Sequence, residues 1–199
     1  MMNIAFAKVK HFSLDEYNRL EALGFFIGNK RVELIHGQII EMAAKGTAHS
    51  VCSTRLNREL LKILEERATL RGQEPIIIPP DSSPEPDYAI VRNHPDDYLS
   101  AHPSPSDIFW VIEISDSTLN FDQQVKLALY AEAAISDYWI INLQDKHLEV
   151  YSGPYRNPQK NFSYRTKRIF LSDETIPLPH FSDLSLNLIN IFPDWLEFA

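Results

Sequence analysis

The sequence predicts a mixed α/β fold in which helices flank one central β-sheet, with a helix and a β-hairpin at the N-terminal end. Helix-like and strand-like segments alternate along the 199 residues without an internal repeat, an order typical of helices packed on a sheet. Apolar residues make up 44% of the chain and charged residues 23%, as is ordinary for a globular protein. A chain of this length most naturally forms one domain, so we assign residues 1–199 to a single domain.

The first predicted elements are a short helix and a hairpin. Ser13 and Glu16 have the spacing of a capping box, so a helix is expected to begin there and to end near Gly24. The segment "RVELIHGQIIEMA" has two apolar-rich arms around His36 and Gly37. A tight turn between two such arms is typical of a β-hairpin.

A long helix is predicted next, over "AHSVCSTRLNRELLKILEERATL" at residues 48–70. Its apolar residues recur at helical spacing, and its other face carries Arg55, Arg58 and Lys62. These three residues form the best basic stripe in the chain and are candidate contacts for a nucleic acid. A stripe of this kind is more often a solvated helix face, and both interpretations stay open.

The rest of the chain predicts the strands of the sheet with one helix between them. Prolines within residues 79–86 forbid a central strand there, and the strand pattern resumes in "DYAIVR". "DIFWVIEIS" is the most strand-like stretch because it is rich in β-branched and aromatic residues. A helix with Asn120 as its N-cap is predicted over "NFDQQVKLALYAEAA". Strands are expected over "DYWIINL", "HLEVYSG" and "FSYRTKRIF", and a short terminal helix near "LNLINIF".

Composition argues against several classes of function. The net charge of −8 counts weakly against tight DNA binding, because phosphate binding favours basic surfaces. No apolar run approaches the ~20 residues of a membrane span, and the first residues lack the core of a signal peptide. Cys52 is the single cysteine, which suits a reducing cytoplasm, so we expect a cytoplasmic protein without a membrane partner. The absence of a Gly-rich phosphate loop and of a G-x-S-x-G elbow argues against nucleotide-driven motors, nicotinamide enzymes and serine hydrolases.

Two carboxylates stand in or beside strand-forming segments, where a core strand normally excludes charge. Glu113 shares a face of its strand with Val111 and Ser115, so its ionised form requires a compensating metal ion, lysine or arginine. Asp87 follows Pro86, which keeps the chain extended at the start of another strand. If the two strands are neighbours, the carboxylates stand side by side. A divalent cation is the usual reason for such an arrangement, because two carboxylates otherwise repel each other.

Lys126 is placed on the predicted helix that follows the strand of Glu113. Glu113 lies two strand residues before Ser115, about 7 Å, and Lys126 lies five helical residues after Phe121, also about 7 Å. A helix folding back over the strand therefore brings Lys126 level with Glu113. An Asp, a Glu and a Lys around Mg²⁺ suit phosphodiester hydrolysis. The alternative remains open at this point: Lys126 and Glu113 form a structural ion pair, and Asp87 caps a turn.

Several segments carry a family resemblance: "RVELIHGQIIEMA", "AHS", "PEPDYAIV", "VIEISDSTLNFDQQVKLALYAEAAISDYWIINL" and "HLEVY". In this order they resemble the Uma-type restriction-endonuclease family, once catalogued as a domain of unknown function, within the PD-(D/E)XK nuclease superfamily. The resemblance covers about residues 12–190, and its most specific block is residues 113–139. It implies a restriction-endonuclease-like core, Mg²⁺ or Mn²⁺ as cofactor, and hydrolysis of nucleic-acid phosphodiesters, with DNA as the expected substrate. It also implies a homodimer, because nucleases of this fold commonly pair to address two strands.

The resemblance assigns roles residue by residue. Asp87 matches the Asp of the superfamily signature and Glu113 its acidic partner, and both would bind the metal with the backbone carbonyl of Ile114. Glu33 matches an early glutamate that serves as a further catalytic contact. The superfamily usually places its lysine two residues after the second acid, where this chain has Ser115. Lys126 on the following helix takes that catalytic role in the family.

Two further residues match the family pattern as auxiliary positions. His49 is expected near the DNA or the metal-bound water, or else as a local hydrogen-bonding residue. Asp122 matches as well, although an Asp in the first turn of a helix has a sufficient role against the helix dipole. Tyr130, one turn after Lys126, is expected to pack in the core, and packing beside Lys126 is the alternative. A different class of function also fits the acidic charge and Ser115: a binding module that retains the nuclease fold without turnover. In a third interpretation, the chain is a scaffold whose carboxylates are purely structural.

Overall fold

The structure, a computed structural model, describes residues 8–27 and 31–193. Its contacts divide the described chain into two compact units, residues 8–27, 31–42 and 78–84 in the first and residues 43–77 and 85–193 in the second. A single domain over the whole chain therefore stays a prediction. Throughout the described ranges, no helix combines the length and the apolar character required to cross a membrane.

The first unit begins with helix α1, Leu14–Ala22, and its capping box is confirmed. The backbone N–H of Glu16 donates to Ser13 Oγ at 3.2 Å, and the N–H of Ser13 donates to Glu16 Oε2 at 2.9 Å. These two bonds satisfy donors that have no partner within the helix. The helix ends as expected, because Gly24 has φ +73° and donates its N–H to the carbonyl of Glu21 at 2.8 Å.

The predicted hairpin is also confirmed, with strands β1, Val32–Ile35, and β2, Gln38–Glu41, paired antiparallel. His36 and Gly37 both have positive φ, 48° and 72°, as a two-residue hairpin turn requires. A Cβ on Gly37 would lie 2.7 Å from the Cβ of His11, so this position has no room for a side chain. The turn is held by residues 78–84, because the N–H of His36 donates to Ser82 Oγ at 2.8 Å.

The second unit is built on a six-stranded sheet of order β3-β4-β5-β6-β7-β8. Strands β5 and β6 are parallel and every other neighbouring pair is antiparallel, so the predicted mixed sheet is confirmed. Prolines keep residues 79–86 out of the named strands of this sheet, as expected. The strands are β3, Thr69–Gly72; β4, Tyr88–Val91; β5, Ile108–Ser115; β6, Asp137–Asn142; β7, His147–Arg156; and β8, Phe162–Leu171.

Helices of the second unit lie on both faces of the sheet. Helix α2 spans Thr47–Leu64. Helix α3, Leu119–Phe121, continues through one π-helical segment, Asp122–Lys126, into α4, Leu127–Glu132. We call residues 119–132 the site helix. It forms the crossover that a parallel pair such as β5 and β6 requires.

Three boundaries differ from the sequence predictions. Helix α2 was expected to reach residue 70 but ends at Leu64, because Thr69 begins the edge strand β3 and pairs with Val91. Asn120 was expected as an N-cap but lies inside the site helix, which follows Thr118. The predicted terminal helix is a single 3₁₀ turn, Leu188–Asn190.

A short antiparallel hairpin near the C-terminal end was missed. It consists of β9, Thr175–Leu178, and β10, Phe181–Asn187. Its apolar side joins the main hydrophobic core, which also contains α2 and one face of the central sheet. Cys52 of α2 is fully buried there, and burial raises the pKa of its thiol to about 12. Large, fully buried side chains of this core include Trp110, Trp139, Leu56, Leu60, Leu64, Ile90, Ile112 and Ile114.

Candidate active site

Strands β4 and β5 bring Asp87 and Glu113 together. In the antiparallel register Tyr88 lies opposite Ile112, so Asp87 and Glu113 form the next pair along. The N–H of Asp87 donates to Glu113 Oε2 at 3.2 Å, and the N–H of Ile114 donates to Asp87 Oδ2 at 2.9 Å. The two residues are only 6% and 5% exposed. The structure therefore has two carboxyl groups at one end of adjacent strands, close to the arrangement the sequence predicts.

Glu113 is oriented by two donors from the site helix. Lys126 Nζ lies 3.2 Å and the Tyr130 hydroxyl 2.8 Å from the same oxygen, Glu113 Oε1. The side chains of Lys126 and Glu113 are 4% and 7% exposed, so this ion pair is screened little by solvent. Lys126 thus stands level with Glu113, as the rise per residue of strand and helix predicts.

Asp87 has a cationic environment of its own. Lys45 Nζ lies 2.9 Å from Asp87 Oδ1, and His49 Nε2 lies 3.0 Å from Asp87 Oδ2. Burial works to raise the pKa of Asp87, but the hydrogen bond with His49 and the charges of His49 and Lys45 outweigh it and lower the pKa. His49 Nδ1 is buried and has no hydrogen-bond partner among the described residues.

Asp122 attaches the π-helical segment to β5. Its Oδ2 accepts hydrogen bonds from the hydroxyls of Ser115 and Thr118, each at 2.7 Å. Its backbone carbonyl accepts from the Tyr138 hydroxyl at 3.2 Å. Burial raises the pKa of Asp122, although the two hydroxyls and Lys126 oppose that rise. Ser115 thus helps to hold the helix that carries Lys126.

A second polar cluster attaches the same segment to β7. Gln123 Nε2 donates to both oxygens of Glu149, at 3.0 and 3.1 Å. Glu149 also accepts from the Tyr151 hydroxyl at 2.6 Å and lies 3.0 Å from Lys167 Nζ and 3.2 Å from His147 Nε2. The π-helical segment is therefore bonded to the sheet through Asp122, Gln123 and Lys126.

We expect the contribution of Glu149 to stability to depend on pH. Burial works to raise its pKa, but bonds from Tyr151 and Lys167 outweigh it and lower the pKa from 4.5 to about 2. The ionised group therefore stabilises the fold above pH 4.5, by roughly 3 kcal/mol at most, and this contribution is lost as the pH falls toward 2. Urea unfolding should show Glu149→Gln much less stable than the wild type at pH 7, with that gap reduced by roughly half or more at pH 3. An equal gap at both values would contradict this assignment.

Two residues that the sequence assigns to the metal or the chemistry keep their roles as predictions. Glu33 is buried in β1 of the first unit, whereas Asp87, Glu113 and Lys126 belong to the second. Ile114 follows Glu113 directly and donates its N–H to Asp87. Its carbonyl as a metal ligand stays a prediction.

The basic stripe of α2 is partly used within the fold. Arg55 Nη1 donates to the carbonyl of Phe192 at 2.6 Å, which ties the C-terminal segment to the helix. Arg58 and Lys62 are exposed and lie 3.8 and 3.2 Å from Glu59 Oε1. Arg58 and Lys62 therefore face solvent, and contact of the stripe with nucleic acid stays a prediction.

Sequence reasoning missed one member of the site, Lys45, and did not foresee the hydrogen bond of another, Tyr130. Lys45 lies in the irregular segment before α2, where no periodicity indicates which way a side chain points. Tyr130 was expected to pack in the core, with a position beside Lys126 as the alternative. It is fully buried and packs edge-on against Tyr138 at 5.0 Å between ring centroids, but it also donates to Glu113. Its spacing of four residues from Lys126, which puts both on one helix face, was the available signal.

The donor set at Asp87 and Glu113 fits a magnesium-like ion. Within residues 8–27 and 31–193, no group of three or more His, Cys, Asp and Glu is arranged to hold a metal. Mg²⁺ in phosphate chemistry commonly uses one or two carboxylates and completes its shell with water and substrate oxygens. Two adjacent carboxylates are therefore sufficient protein ligands for this ion, and too few for a structural zinc site.

Comparisons with known proteins agree with this fold. The chain is similar to a crystallised protein from Anabaena variabilis ATCC 29413, described as "a putative nuclease belonging to DUF820". The TM-score is 0.67 at 18% sequence identity, over 91% of this chain and 97% of that one. At this identity the likeness shows a shared fold. No curated protein matches the chain.

The sequence itself matches a family model along most of its length. The model is that of Uma2, described as "Putative restriction endonuclease", and the match runs over residues 14–189. These residues include both strands of the carboxylate pair and the whole site helix. The α/β architecture with its central mixed sheet, N-terminal helix and hairpin is the one that the resemblance implied. The chain therefore belongs to the Uma2 family of restriction-endonuclease-like proteins.

Proposed function

We propose that this protein is a metal-dependent endonuclease that hydrolyses phosphodiester bonds in nucleic acid, with DNA as the substrate. The observation that carries the proposal is the proximity of Asp87 and Glu113 on adjacent strands, with Lys126 bonded to Glu113. Burying two neighbouring carboxylates is costly, and a site for a divalent cation explains why they are adjacent. Membership of the Uma2 family supports the same conclusion.

In this proposal Asp87 and Glu113, together with the Ile114 carbonyl, would hold Mg²⁺ or Mn²⁺. When bound, such an ion activates water and neutralises charge that develops on the phosphate. The chain's own residues keep the ligands in place: Tyr130 and Lys126 bind Glu113 Oε1, and the N–H of Ile114 binds Asp87 Oδ2. Ligands held in this way need not reorganise during the reaction.

Lys126 would stabilise negative charge on a phosphate oxygen or steady the attacking water. Its ammonium group lies on a helix bonded to the sheet through Asp122 and Gln123, so its position is fixed before substrate arrives. It is also buried beside Glu113, where the low local dielectric strengthens its effect on a nearby oxyanion. Glu33, His49 and Asp122 are proposed as auxiliary residues.

The proposal is tested by incubating the protein with supercoiled, linear and single-stranded DNA in Mg²⁺, Mn²⁺ or EDTA. We expect cutting in Mg²⁺ or Mn²⁺ and none in EDTA. Asp87→Asn, purified identically, controls for contaminating nucleases and should be inactive, because the amide cannot replace the anionic ligand. Cutting that survives in EDTA or in Asp87→Asn would contradict the proposed site.

A second candidate function is a nucleic-acid-binding or protein-binding module that does not cleave. It is favoured by the two lysines that already neutralise the carboxylates, and by the net charge of −8. Binding of labelled DNA in EDTA, measured at several salt concentrations, separates the two functions. Metal-independent binding without cutting in any metal would favour the module. In either case a cytoplasmic homodimer is proposed.

A further inference from the structure

Lys45 and Lys126 each neutralise one carboxylate of the proposed site, but they are held very differently. Lys126 lies on the site helix with a side chain that is 4% exposed. Lys45 lies in the irregular segment ahead of α2, and its side chain is 25% exposed. Lys45 lies next to solvent on a segment without the hydrogen bonds of a helix or a strand. Such a lysine can leave its partner at little cost in free energy, since water hydrates the displaced ammonium group.

The two oxygens of Asp87 also differ in their partners. Oδ2 is bound by the backbone N–H of Ile114 at 2.9 Å and by His49 Nε2 at 3.0 Å. Oδ1 is bound by Lys45 Nζ at 2.9 Å. A cation that binds at Oδ2 would have to displace a strand amide and a buried histidine. At Oδ1 it would compete with one ammonium group, whose side chain is partly exposed.

We propose that Lys45 is an exchangeable counter-ion, which occupies Asp87 Oδ1 in the metal-free protein and is displaced from it when a divalent cation binds. This inference rests on the proposed function, because it takes Asp87 as a metal ligand. Lys126 stays bound to Glu113 in both states. Lys45 thus keeps the buried carboxylate neutralised without metal, and the strength of its ion pair sets the cation concentration at which the site fills.

Equilibrium binding of Mn²⁺ alone, followed by calorimetry on the purified full chain without DNA, tests the exchange. Lys45→Met keeps the length of the side chain and removes its charge. We expect it to bind Mn²⁺ roughly tenfold more tightly, because the apparent affinity of the wild type is reduced by the fraction of molecules in which Oδ1 is occupied. Lys160→Met, at an exposed residue of the second unit, makes the same change in net charge and should bind as the wild type does. Lys45→Arg retains the cation and should show no such gain.

A second measurement uses the wild-type protein and so does not depend on the folding of a variant. Acetylation of individual lysines by a water-soluble ester, read by mass spectrometry, should increase severalfold at Lys45 when Mn²⁺ is added. Lys126 should stay protected. Unchanged or lower reactivity of Lys45, or equal Mn²⁺ affinities for Lys45→Met and the wild type, would overturn the exchange and leave the metal site intact. Absence of Mn²⁺ binding in the wild type would overturn the proposed function as well.

Discussion

Glu113→Gln is expected to lower metal-dependent cleavage by about 1000-fold or more. The substitution keeps the shape of the side chain but replaces an anionic oxygen by an amide, which is a poor ligand for a hard cation. A bound metal contributes several kcal/mol to stabilisation of the transition state, and each 1.36 kcal/mol corresponds to a tenfold change in rate. Single-turnover cleavage of supercoiled DNA in Mn²⁺, with protein in excess, measures this loss directly.

The same variant also removes the anionic partner of a buried lysine, so the loss of activity must be separated from a loss of folded protein. Circular dichroism and urea unfolding of Glu113→Gln, compared with the wild type, give the folded fraction under the assay conditions. Glu66→Gln is a suitable control, because Glu66 is exposed and lies outside the proposed site. Full activity in a folded Glu113→Gln variant would show that Glu113 is not a metal ligand.

Lys126→Met is expected to abolish cleavage and to lower the free energy of unfolding by about 3 kcal/mol, because it leaves a buried carboxylate without its cation. Combining it with Glu113→Gln removes both charges. Since breaking a buried ion pair costs more than replacing it, the double variant should be more stable than the sum of the single effects predicts, with a coupling of about 2 kcal/mol. Its cleavage activity should stay absent.

This double-mutant cycle also tests the scaffold interpretation. A purely structural pair predicts that the double variant is neutral or stabilising and that no variant, the wild type included, cleaves DNA. A catalytic pair predicts recovered stability without recovered activity. Unfolding in urea at pH 7 and cleavage in Mn²⁺, measured on the same four proteins, separate these outcomes. Additive stability effects would contradict the direct 3.2 Å contact between Lys126 and Glu113.

The sequence predicted the two carboxylates to be side by side on one condition, that their strands are neighbours. Pro86 holds the chain extended before Asp87, and alternation along β5 puts Glu113 on the face of Val111 and Ser115. The position of Lys126 level with Glu113 followed from the rise per residue of a strand and of a helix. The geometry of one strand or one helix depends on local sequence, whereas the adjacency of β4 and β5 is a tertiary contact.

Other features depend on tertiary structure and could not be read in this way. Lys45 contacts Asp87 from an irregular segment of backbone, which has no periodic sequence pattern. Proline is disfavoured inside strands, yet β9 of the missed hairpin contains Pro177. A two-stranded hairpin leaves one edge of each strand unpaired, so the missing N–H of Pro177 is tolerated there. The π-helical segment was likewise unforeseen, and the bonds of Asp122, Gln123 and Lys126 to the sheet are tertiary contacts that give it support.

The reactivity of the single thiol, Cys52, can be used to measure how often the fold opens locally. At pH 8 an alkylating reagent requires the thiolate, and a fully buried thiol with a pKa of about 12 supplies almost none in the native state. The alkylation rate therefore reports how often α2 separates from the core and exposes the thiol. Because the chain has one cysteine, each modified molecule gains a single mass increment. The alkylation rate of a variant would distinguish a substitution that only abolishes cleavage from one that also increases local unfolding around the site.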